Sequence, residues 1–322
     1  MRLAWRGFAF PLVRPLRTAR GELRERRGWL LRLETEDGRC GWGEAAPLEG
    51  DPRVLAAPLA ALGPEPRHDD LERALPSLHP CLAFGLAAAL AEIEGLVGPA
   101  AGGWRPAPEP AVLLPAGEAA ALVLGELVER RAVAAPAAPL TLKWKVAAAQ
   151  DALERRLLER LLGMLPAGWR LRLDANGGWD RSTASAWADR LAAEPRLEWL
   201  EQPLQPDDVE GLERLARRLP VALDESLALR PELRRSWRGW QVRRPSQDGD
   251  PRFLLAQLRR GTPRLVLSTG FETGIGRRWL DHLAALQQLG PTPAAPGLAP
   301  GWSGEGALHC RDPQRVWEAA AP

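Results

Sequence analysis

Three acidic residues each follow a short apolar segment, and helical patterns separate these segments. The residues are Asp174 in RLDANGGW, Glu201 in EWLEQPL and Asp224 in ALDES, each about one strand–helix unit apart. In a parallel barrel this spacing brings the carboxylates to the C-terminal ends of neighbouring strands. Clustered carboxylates raise one another's pKa unless a cation neutralises them. The pattern therefore predicts a site for a hard divalent cation that prefers oxygen ligands.

An acid at the end of a strand also has a simpler interpretation, because such residues often cap the helix that follows. For any one of the three acids alone, capping is the better interpretation. Three consecutive strands that end in this way, at a spacing of one unit, favour the metal site.

Two lysines flank a tryptophan in KWK, Lys143 to Lys145, at the end of the preceding predicted strand. Side chains alternate along a strand, so the two lysines share one face and Trp144 takes the other. We expect ammonium groups that face a barrel interior to have lowered pKa values, which would let a lysine act as a general base. The alternative is a pair of strand-end lysines that extend to water.

The segments around these residues predict the elements that position them. Beyond a break at AGGWRP, residues 101–106, short apolar runs alternate with helical patterns. Predicted strands cover 111–114, 140–146, 170–174, 197–201, 221–224, 241–243 and 264–268, and predicted helices include 147–162, 182–193, 208–218 and 250–260. This alternation predicts a parallel sheet, and its length fits a closed barrel better than an open doubly wound sheet.

The first hundred residues have mixed α and β character. Residues 29–34 predict a strand, and residues 36–38 predict a hairpin turn into the next strand, around Cys40. The Ala-rich stretch 82–96 has helical spacing. Residues 14–27 contain many Arg, Gly and Glu residues with low periodicity, which predicts a mobile loop.

Composition argues against several classes of protein. The chain has 322 residues, of which 45% are hydrophobic and 26% charged, enough for a buried core. Charge nearly balances, with 43 Lys and Arg against 41 Asp and Glu, so we expect no nucleic-acid partner. The apolar runs fall short of the roughly 20 residues that a membrane span needs. Three cysteines without a CxxC pair, and an N-terminus unlike a signal peptide, predict a cytoplasmic protein, for which we expect no obligate protein partner.

Other residues that could do chemistry offer weaker patterns. The histidines match no metal-ligand spacing and are interpreted as surface or structural residues; they are His68, His79, His282 and His309. The Gly-rich GFETGIG, residues 270–276, lacks the GK[ST] ending of a P-loop, so we expect no nucleotide site there. The 14 tryptophans, in a chain without tyrosine, are interpreted as packing residues.

The motifs KWK, DAN, EQP and DES, in this order, resemble the enolase superfamily, in particular its muconate lactonizing enzyme and o-succinylbenzoate synthase group. GWGEAAPLEG and PCLAFGLAAAL in the first hundred residues, and LSTGFETGIG near the C-terminus, are similar to that group as well. The resemblance therefore covers most of the chain. Each motif is weakly specific by itself, and the ordered set is a strong signal.

The resemblance implies an α/β fold, a (β/α)7β TIM-like barrel with an α+β capping domain. The capping domain would cover residues 1–103, with a lid loop at about 14–27 that excludes water. The barrel would cover residues 104–300, and residues 301–322 would return to the capping domain.

The resemblance also implies a metal cofactor. Asp174, Glu201 and Asp224 would hold Mg²⁺, with Mn²⁺ as a substitute. The ion would bind the substrate carboxylate and stabilise an enediolate. Asn176 of DAN and Glu225 of DES would lie close to the metal, behind its direct ligands.

Further roles concern the organic substrate, which the resemblance implies is a small carboxylate. Lys145 would be the general base, and Lys143 an electrostatic partner close to the carboxylate. Ser268, Thr269 and Gly270 match the loop that supports the distal end of the substrate in this group.

The chain departs from the group at the sixth barrel strand. The group has a lysine there, in a motif resembling KPS or KPA, whereas this chain has Arg244 before Pro245. Arginine stays protonated and is a poor base. A racemase or epimerase needs an acid–base group on both faces of its substrate, whereas a one-base elimination needs only Lys145. Arg244 would then stabilise the anionic intermediate or stack on its ring.

The implied function is a Mg²⁺-dependent syn-dehydration of 2-succinyl-6-hydroxy-2,4-cyclohexadiene-1-carboxylate to 2-succinylbenzoate, in menaquinone or phylloquinone biosynthesis. Two alternatives stay open from the sequence. One is another enolase-superfamily enzyme, such as a racemase, an epimerase or a cycloisomerase. The other is a barrel that binds without catalysis, which the intact acids and lysines disfavour because buried charges destabilise a fold.

Overall fold

The structure, a computed structural model, describes residues 1–18, 21–133, 139–302 and 304–321. Its strands are β1 (Arg2–Thr18), β2 (Gly21–Glu34), β3 (Cys40–Ala45), β4 (Val112–Leu114), β5 (Thr141–Lys145), β6 (Arg170–Asp174), β7 (Leu197–Glu201), β8 (Val221–Leu223), β9 (Trp240–Arg243) and β10 (Leu265–Leu267). Its α-helices are α1 (Ala56–Ala61), α2 (His68–Ala74), α3 (Pro80–Ile93), α4 (Ala119–Val133), α5 (Asp151–Met164), α6 (Arg181–Leu191), α7 (Val209–Ala216), α8 (Glu225–Leu229), α9 (Leu233–Ser236), α10 (Pro245–Asp248), α11 (Pro251–Arg259), α12 (Gly274–Gln288) and α13 (Pro313–Ala319). In the described ranges, no helix is long and apolar enough to cross a membrane.

The chain divides into two compact units. The first unit comprises Met1–Glu109 and Arg243–Pro322, and the second comprises Pro110–Val242. The predicted domain boundaries, after residues 103 and 300, stay a prediction.

The first unit contains an antiparallel sheet in the order β1-β2-β3. The pairs Trp5–Leu31 and Trp29–Ala45 set its register. The predicted strand over 29–34 is confirmed as the last part of β2, and the predicted turn follows it. The turn needs Gly38, whose φ of 83° lies in the left-handed region.

The prediction of a mobile loop over residues 14–27 is wrong in its secondary structure, because most of that segment forms strands. Residues up to Thr18 belong to β1, and those from Gly21 belong to β2, which pair with each other. Ala19 and Arg20 lie outside the described residues. The pairing satisfies backbone hydrogen bonds across two segments, and the periodicity of either segment alone does not reveal it. A lid role for this hairpin stays a prediction.

Helix α3 packs against β3 at very short range because both contain small residues. A Cβ atom added to Gly43 would lie 1.9 Å from the Gly85 carbonyl oxygen, and one added to Gly41 would lie 1.9 Å from the Ala89 carbonyl oxygen. The glycines of GWGEAAP and the Ala-rich stripe of PCLAFGLAAAL are therefore complementary surfaces. The predicted helix is confirmed, with its start at Pro80.

The second unit contains parallel strands β4 to β9, each hydrogen-bonded to the next strand in chain order. Helices follow the strands and bury leucines against them, as α5 does with Leu157, Leu158, Leu161 and Leu162. In the first unit, β10 runs directly into Ser268, whose N–H donates to the Arg243 carbonyl oxygen, 2.9 Å away. All seven predicted strands and the four named helices of this region are confirmed, with small shifts at their ends.

Candidate metal and acid–base site

The parallel register of the second unit places the predicted chemical residues side by side. Lys145 pairs with Asp174 across β5 and β6, and Asp174 pairs with Glu201 across β6 and β7. Asp224 directly follows β8, which pairs with β7 at Glu201. The three acids are only 1%, 2% and 7% exposed. Because parallel strands end at the same edge of the sheet, residues far apart in the sequence form one buried acidic cluster.

Lys143 supplies the positive charge that faces two of these acids. Its Nζ lies 2.8 Å from Asp174 Oδ2 and 2.7 Å from Glu201 Oε1. Burial would lower the pKa of Lys143, but the carboxylates of Asp174, Glu201 and Asp224 raise it by more, so the pKa lies above its ordinary value. The predicted lowering is therefore wrong for Lys143, because the acids lie closer to it than the sequence could specify.

Lys145 has different partners, although it shares the strand face with Lys143. Its Nζ donates to Asn176 Oδ1 at 3.0 Å, and Asn176 Nδ2 donates to Glu225 Oε1 at 3.0 Å. The backbone N–H of Asn176 donates to Asp174 Oδ1 at 3.1 Å. The two residues expected near the metal therefore connect the predicted base to the acidic cluster. Trp144 points away into the hydrophobic core.

The carboxyl groups influence one another's protonation. Burial raises the pKa of Glu201, and the charges of Asp174 and Asp224 raise it further, so the pKa stays above its ordinary value despite Lys143. Burial also acts on Asp174, but Lys143 and Lys145 outweigh it and lower the pKa of that group. Burial, with the charges of Asp224 and Asp174, raises the pKa of Glu225 to about 8. The cluster contains four carboxyl groups against two lysines, so its full ionisation would leave negative charge that the lysines do not balance.

These residues fit a hard divalent cation. The available donors are carboxylate oxygens, the ligands that Mg²⁺ prefers. Glu225 Oε2 is buried, and it has no hydrogen-bond partner among the described residues. Oxygen chemistry, burial and the surplus of carboxyl groups over lysines all agree with a Mg²⁺ site.

The acids do not form a preassembled cage in this structure. Among the described residues, only His68, Glu72 and Glu94 bring three ligand atoms of His, Cys, Asp or Glu within 4.8 Å of one another. That group is largely exposed, and Arg252 already pairs with Glu72 at 2.6 Å and with Glu94 at 3.5 Å. It is therefore interpreted as a surface ion-pair network.

Gln202 is a positioning residue that the sequence interpretation missed. Its side chain is fully buried, and Oε1 accepts from the backbone N–H groups of Asp224 and Ser226, at 3.2 and 3.1 Å. Its Nε2 donates to Ser226 Oγ at 2.7 Å. Gln202 therefore ties the end of β7 to the start of the segment that carries Asp224. The sequence signal that could have identified this residue is the EQP motif, in which Gln202 directly follows the acid Glu201.

The first unit contains the predicted substrate-binding residues. Arg244 Nη1 donates to the Thr269 carbonyl oxygen at 2.6 Å, so the structure brings Arg244 and the predicted loop together. Ser268, Thr269 and Gly270 directly follow β10 and are buried. Their contact with substrate stays a prediction.

Comparison with known proteins defines the class of this chain. A family model described as Enolase C-terminal domain-like matches residues 126–239, a range that contains both lysines and the three acids. The matched range and the parallel strands that end in these residues define a member of the enolase superfamily. The o-succinylbenzoate synthase of Thermosynechococcus vestitus is 38% identical over 298 residues, which are 88% of this chain and 88% of that protein. The chain belongs to the o-succinylbenzoate synthase family.

Solved structures agree with this assignment. The o-succinylbenzoate synthase from Thermosynechococcus elongatus BP-1, complexed with Mg in the active site, has a TM-score of 0.83 at 34% identity and covers 99% of both chains. A muconate lactonizing enzyme from Pseudomonas fluorescens has a TM-score of 0.68 at 22% identity, covers 88% of this chain and 83% of its own, and shows the shared fold alone. The resemblance inferred from the motifs is confirmed.

Proposed function

We propose that this chain is an o-succinylbenzoate synthase, a lyase that removes water from 2-succinyl-6-hydroxy-2,4-cyclohexadiene-1-carboxylate to give 2-succinylbenzoate. Membership of the family supports this function. The observation that carries it is the buried cluster in which three acids and two lysines follow one another on consecutive parallel strands. Such a cluster can hold a metal and move a proton in one place.

Asp174, Glu201 and Asp224 would hold Mg²⁺, in accordance with their burial and with the surplus of carboxyl groups over lysines in the cluster. When bound, the ion supplies positive charge to the oxyanion that develops on the substrate carboxylate. Lys143 contacts two of the acids and places a further positive charge beside that carboxylate.

Lys145 is the proposed general base. It takes the proton from the carbon next to the carboxylate, and the electron pair of that C–H bond moves toward the carboxylate to give an enediolate. This electron pair then forms the new ring double bond as the C–O bond breaks. The same ammonium group then returns the proton to the departing hydroxyl, so one base performs a syn elimination. Asn176 Oδ1 accepts from Lys145 Nζ and so holds this side chain in place.

Arg244 is proposed to serve as a fixed cation toward the substrate, together with Ser268, Thr269 and Gly270. A guanidinium does not give up its proton, so this residue favours a one-base elimination over racemisation. The same proposal includes a closed (β/α)7β barrel with a capping domain, the hairpin around residues 14–27 as a lid, a cytoplasmic location, and a place in menaquinone or phylloquinone biosynthesis.

The decisive experiment follows the loss of the cyclohexadiene absorbance with purified protein and Mg²⁺. We expect turnover that EDTA abolishes, and Lys145→Ala should reduce it by about 10²- to 10⁴-fold, because a general base contributes on that order. Mg²⁺ affinity, measured by calorimetry, should change much less in Lys145→Ala, since that lysine contacts Asn176 rather than the acids. Absence of turnover by a protein that binds Mg²⁺ would exclude the synthase, and full activity of Lys145→Ala would exclude the assigned base.

A further inference from the structure

Glu272, in the GFETGIG segment, has no role in the proposed chemistry, yet it is the centre of a buried hydrogen-bond network. It is 5% exposed. Its Oε1 accepts from Ser246 Oγ at 2.6 Å and from the Gly270 N–H at 2.7 Å, and its Oε2 accepts from Thr269 Oγ1 at 2.7 Å. One carboxylate therefore joins the segment after β9 to the segment after β10.

The hydroxyl of Thr269 uses its only proton and one of its two acceptor lone pairs inside the protein. Its single proton goes to Glu272, and its oxygen accepts from the Phe271 N–H at 2.8 Å. Phe271 has a φ of 61°, a strained value for a residue with a side chain, so this bond helps to hold an unfavourable turn. The Thr269 carbonyl oxygen in turn accepts from Arg244.

Gly270 is required by the same network. A Cβ atom at this position would lie 2.6 Å from Ser246 Oγ and 3.0 Å from Glu272 Oε1. Its N–H is directed at the carboxylate and is not available to a ligand. Of the three predicted substrate residues, two therefore direct their donor groups inward to Glu272.

We infer that Glu272 is the positioning residue of the substrate segment, residues 268–270, and that Thr269 acts through Glu272 instead of donating its hydroxyl to substrate. The Glu272 carboxylate fixes the turn that orients Ser268 toward substrate and the Thr269 carbonyl oxygen toward Arg244. It therefore sets substrate affinity without touching substrate. This inference rests on the proposed function, because it assumes that the segment contacts substrate.

The test measures the affinity of the product, 2-succinylbenzoate, by calorimetry at saturating Mg²⁺. Glu272→Met removes both acceptor oxygens at similar volume, and we expect it to raise the Kd for the product by about tenfold or more. Glu272→Gln keeps one acceptor oxygen for the fixed Gly270 N–H and should recover part of the affinity. Mg²⁺ affinity should stay within about twofold of wild type in both variants, since the predicted metal ligands are elsewhere in the chain.

Glu44→Met is the matched control. Glu44 is also buried in the first unit, and its Oε2 accepts from the Thr273 N–H, the Thr273 hydroxyl and the Gly276 N–H at the start of α12. It contacts neither Ser246 nor the substrate segment through any of these bonds. The control should lower stability while leaving the Kd for the product within about twofold. Equal effects of the Glu44 and Glu272 substitutions, or a Glu272→Met variant with wild-type affinity, would overturn the inference.

A double-mutant cycle and amide hydrogen exchange test whether Thr269 acts through Glu272 and whether Glu272 holds the segment. Thr269→Val removes the hydroxyl alone, and its effect should not add to that of Glu272→Met if both act through one bond. Independent, additive effects would overturn the inference.

Amide hydrogen exchange at residues 270 and 271 should be faster in Glu272→Met than in Glu44→Met. If wild type neither binds the product nor turns over substrate, the proposed function fails, and the exchange result still decides whether Glu272 holds the segment.

Discussion

Lys143 and Lys145 are the only lysines in the chain, and every other basic side chain besides the four histidines is an arginine. A guanidinium can supply charge and hydrogen bonds, but it cannot release its proton at accessible pH. Of the two strongly basic side chains, lysine can both hold and release a proton whereas arginine cannot, and the chain places its two lysines on either side of Trp144. Their different partners, acids for Lys143 and Asn176 for Lys145, agree with the proposed division between an electrostatic role and a proton-transfer role.

The presence of just two lysines makes their ionisation directly measurable. In protein labelled with ¹⁵N-lysine, we expect the Lys143 ammonium signal to persist to a higher pH than an ordinary lysine, whose pKa is about 10.4. The physical reason is the surrounding carboxylates, which raise the pKa of Lys143 by more than burial lowers it. The measurement is a pH titration of the side-chain ¹⁵N signals without added metal.

The control for this titration is Glu201→Gln, which removes one of the two carboxylates in contact with Lys143. The pKa of Lys143 should fall in this variant. A Lys143 signal that titrates at or below the ordinary pKa in wild type would contradict the assignment of three acids around it.

At the scale of elements, one residue of α5, Glu154, holds the conformation of the segment that follows β5. Glu154 is 1% exposed, and its carboxylate accepts from the backbone N–H groups of Ala147, Ala148 and Ala149, at 2.8, 2.9 and 3.0 Å. Ala147 has a φ of 58°, a conformation that alanine adopts only under restraint. The helix therefore shapes the turn that ends the lysine-bearing strand.

Glu154→Gln should lower the free energy of unfolding by about 1–3 kcal/mol, because the amide nitrogen replaces an acceptor and leaves a part-buried N–H without its charged partner. Urea unfolding followed by tryptophan fluorescence measures this change. We expect reduced turnover as well, since Lys145 lies directly before this turn.

The matched control on the same helix is Glu159→Gln. Glu159 pairs with Arg190 at 2.6 Å, but both side chains are about half exposed. An exposed ion pair contributes less than about 1 kcal/mol, so this variant should unfold near wild type. Similar decreases in the free energy of unfolding from the two substitutions would show that the bonds between Glu154 and residues 147–149 stabilise the fold no more than an exposed ion pair does.

At the scale of the whole molecule, buried acids outside the cluster make stability depend on pH. Burial raises the pKa of Glu44 to about 7 from an ordinary value of 4.5, with bonds from Thr273 opposing and the charge of Glu272 adding to the shift. Arg26, buried nearby, lowers that pKa in part. The folded state therefore binds a proton at Glu44 that the unfolded chain releases over this interval.

The contribution of Glu44 to stability should be fully present below about pH 4.5 and should be lost as pH rises through about 7. Compared with Glu44→Gln, which does not titrate, wild type should lose stability by up to about 1.4 kcal/mol per pH unit within this window. The measurement is the difference in free energy of unfolding between the two proteins, from urea titrations across the window. A difference that stays constant, or that increases with pH, would contradict the raised pKa.

The sequence by itself determined the parallel strands, the placement of Asp174, Glu201 and Asp224, and the family. Each of these follows from a local rule: apolar runs of strand length predict strands, and parallel strands bring their ends to one edge. The predicted positions of Asn176 and Glu225 near the acids depend on the same rule.

Only the tertiary structure decided the features that depend on distances between residues remote in the chain. Whether the pKa of Lys143 is raised or lowered depends on the few ångströms between its ammonium group and two acids on other strands. The hairpin of β1 and β2, the bonds of Gln202 and the network of Glu272 likewise require a partner that periodicity does not specify. The physical reason is that Coulomb energies and hydrogen bonds act across short distances in space, whereas a sequence pattern reports only the preference of each segment for its own conformation.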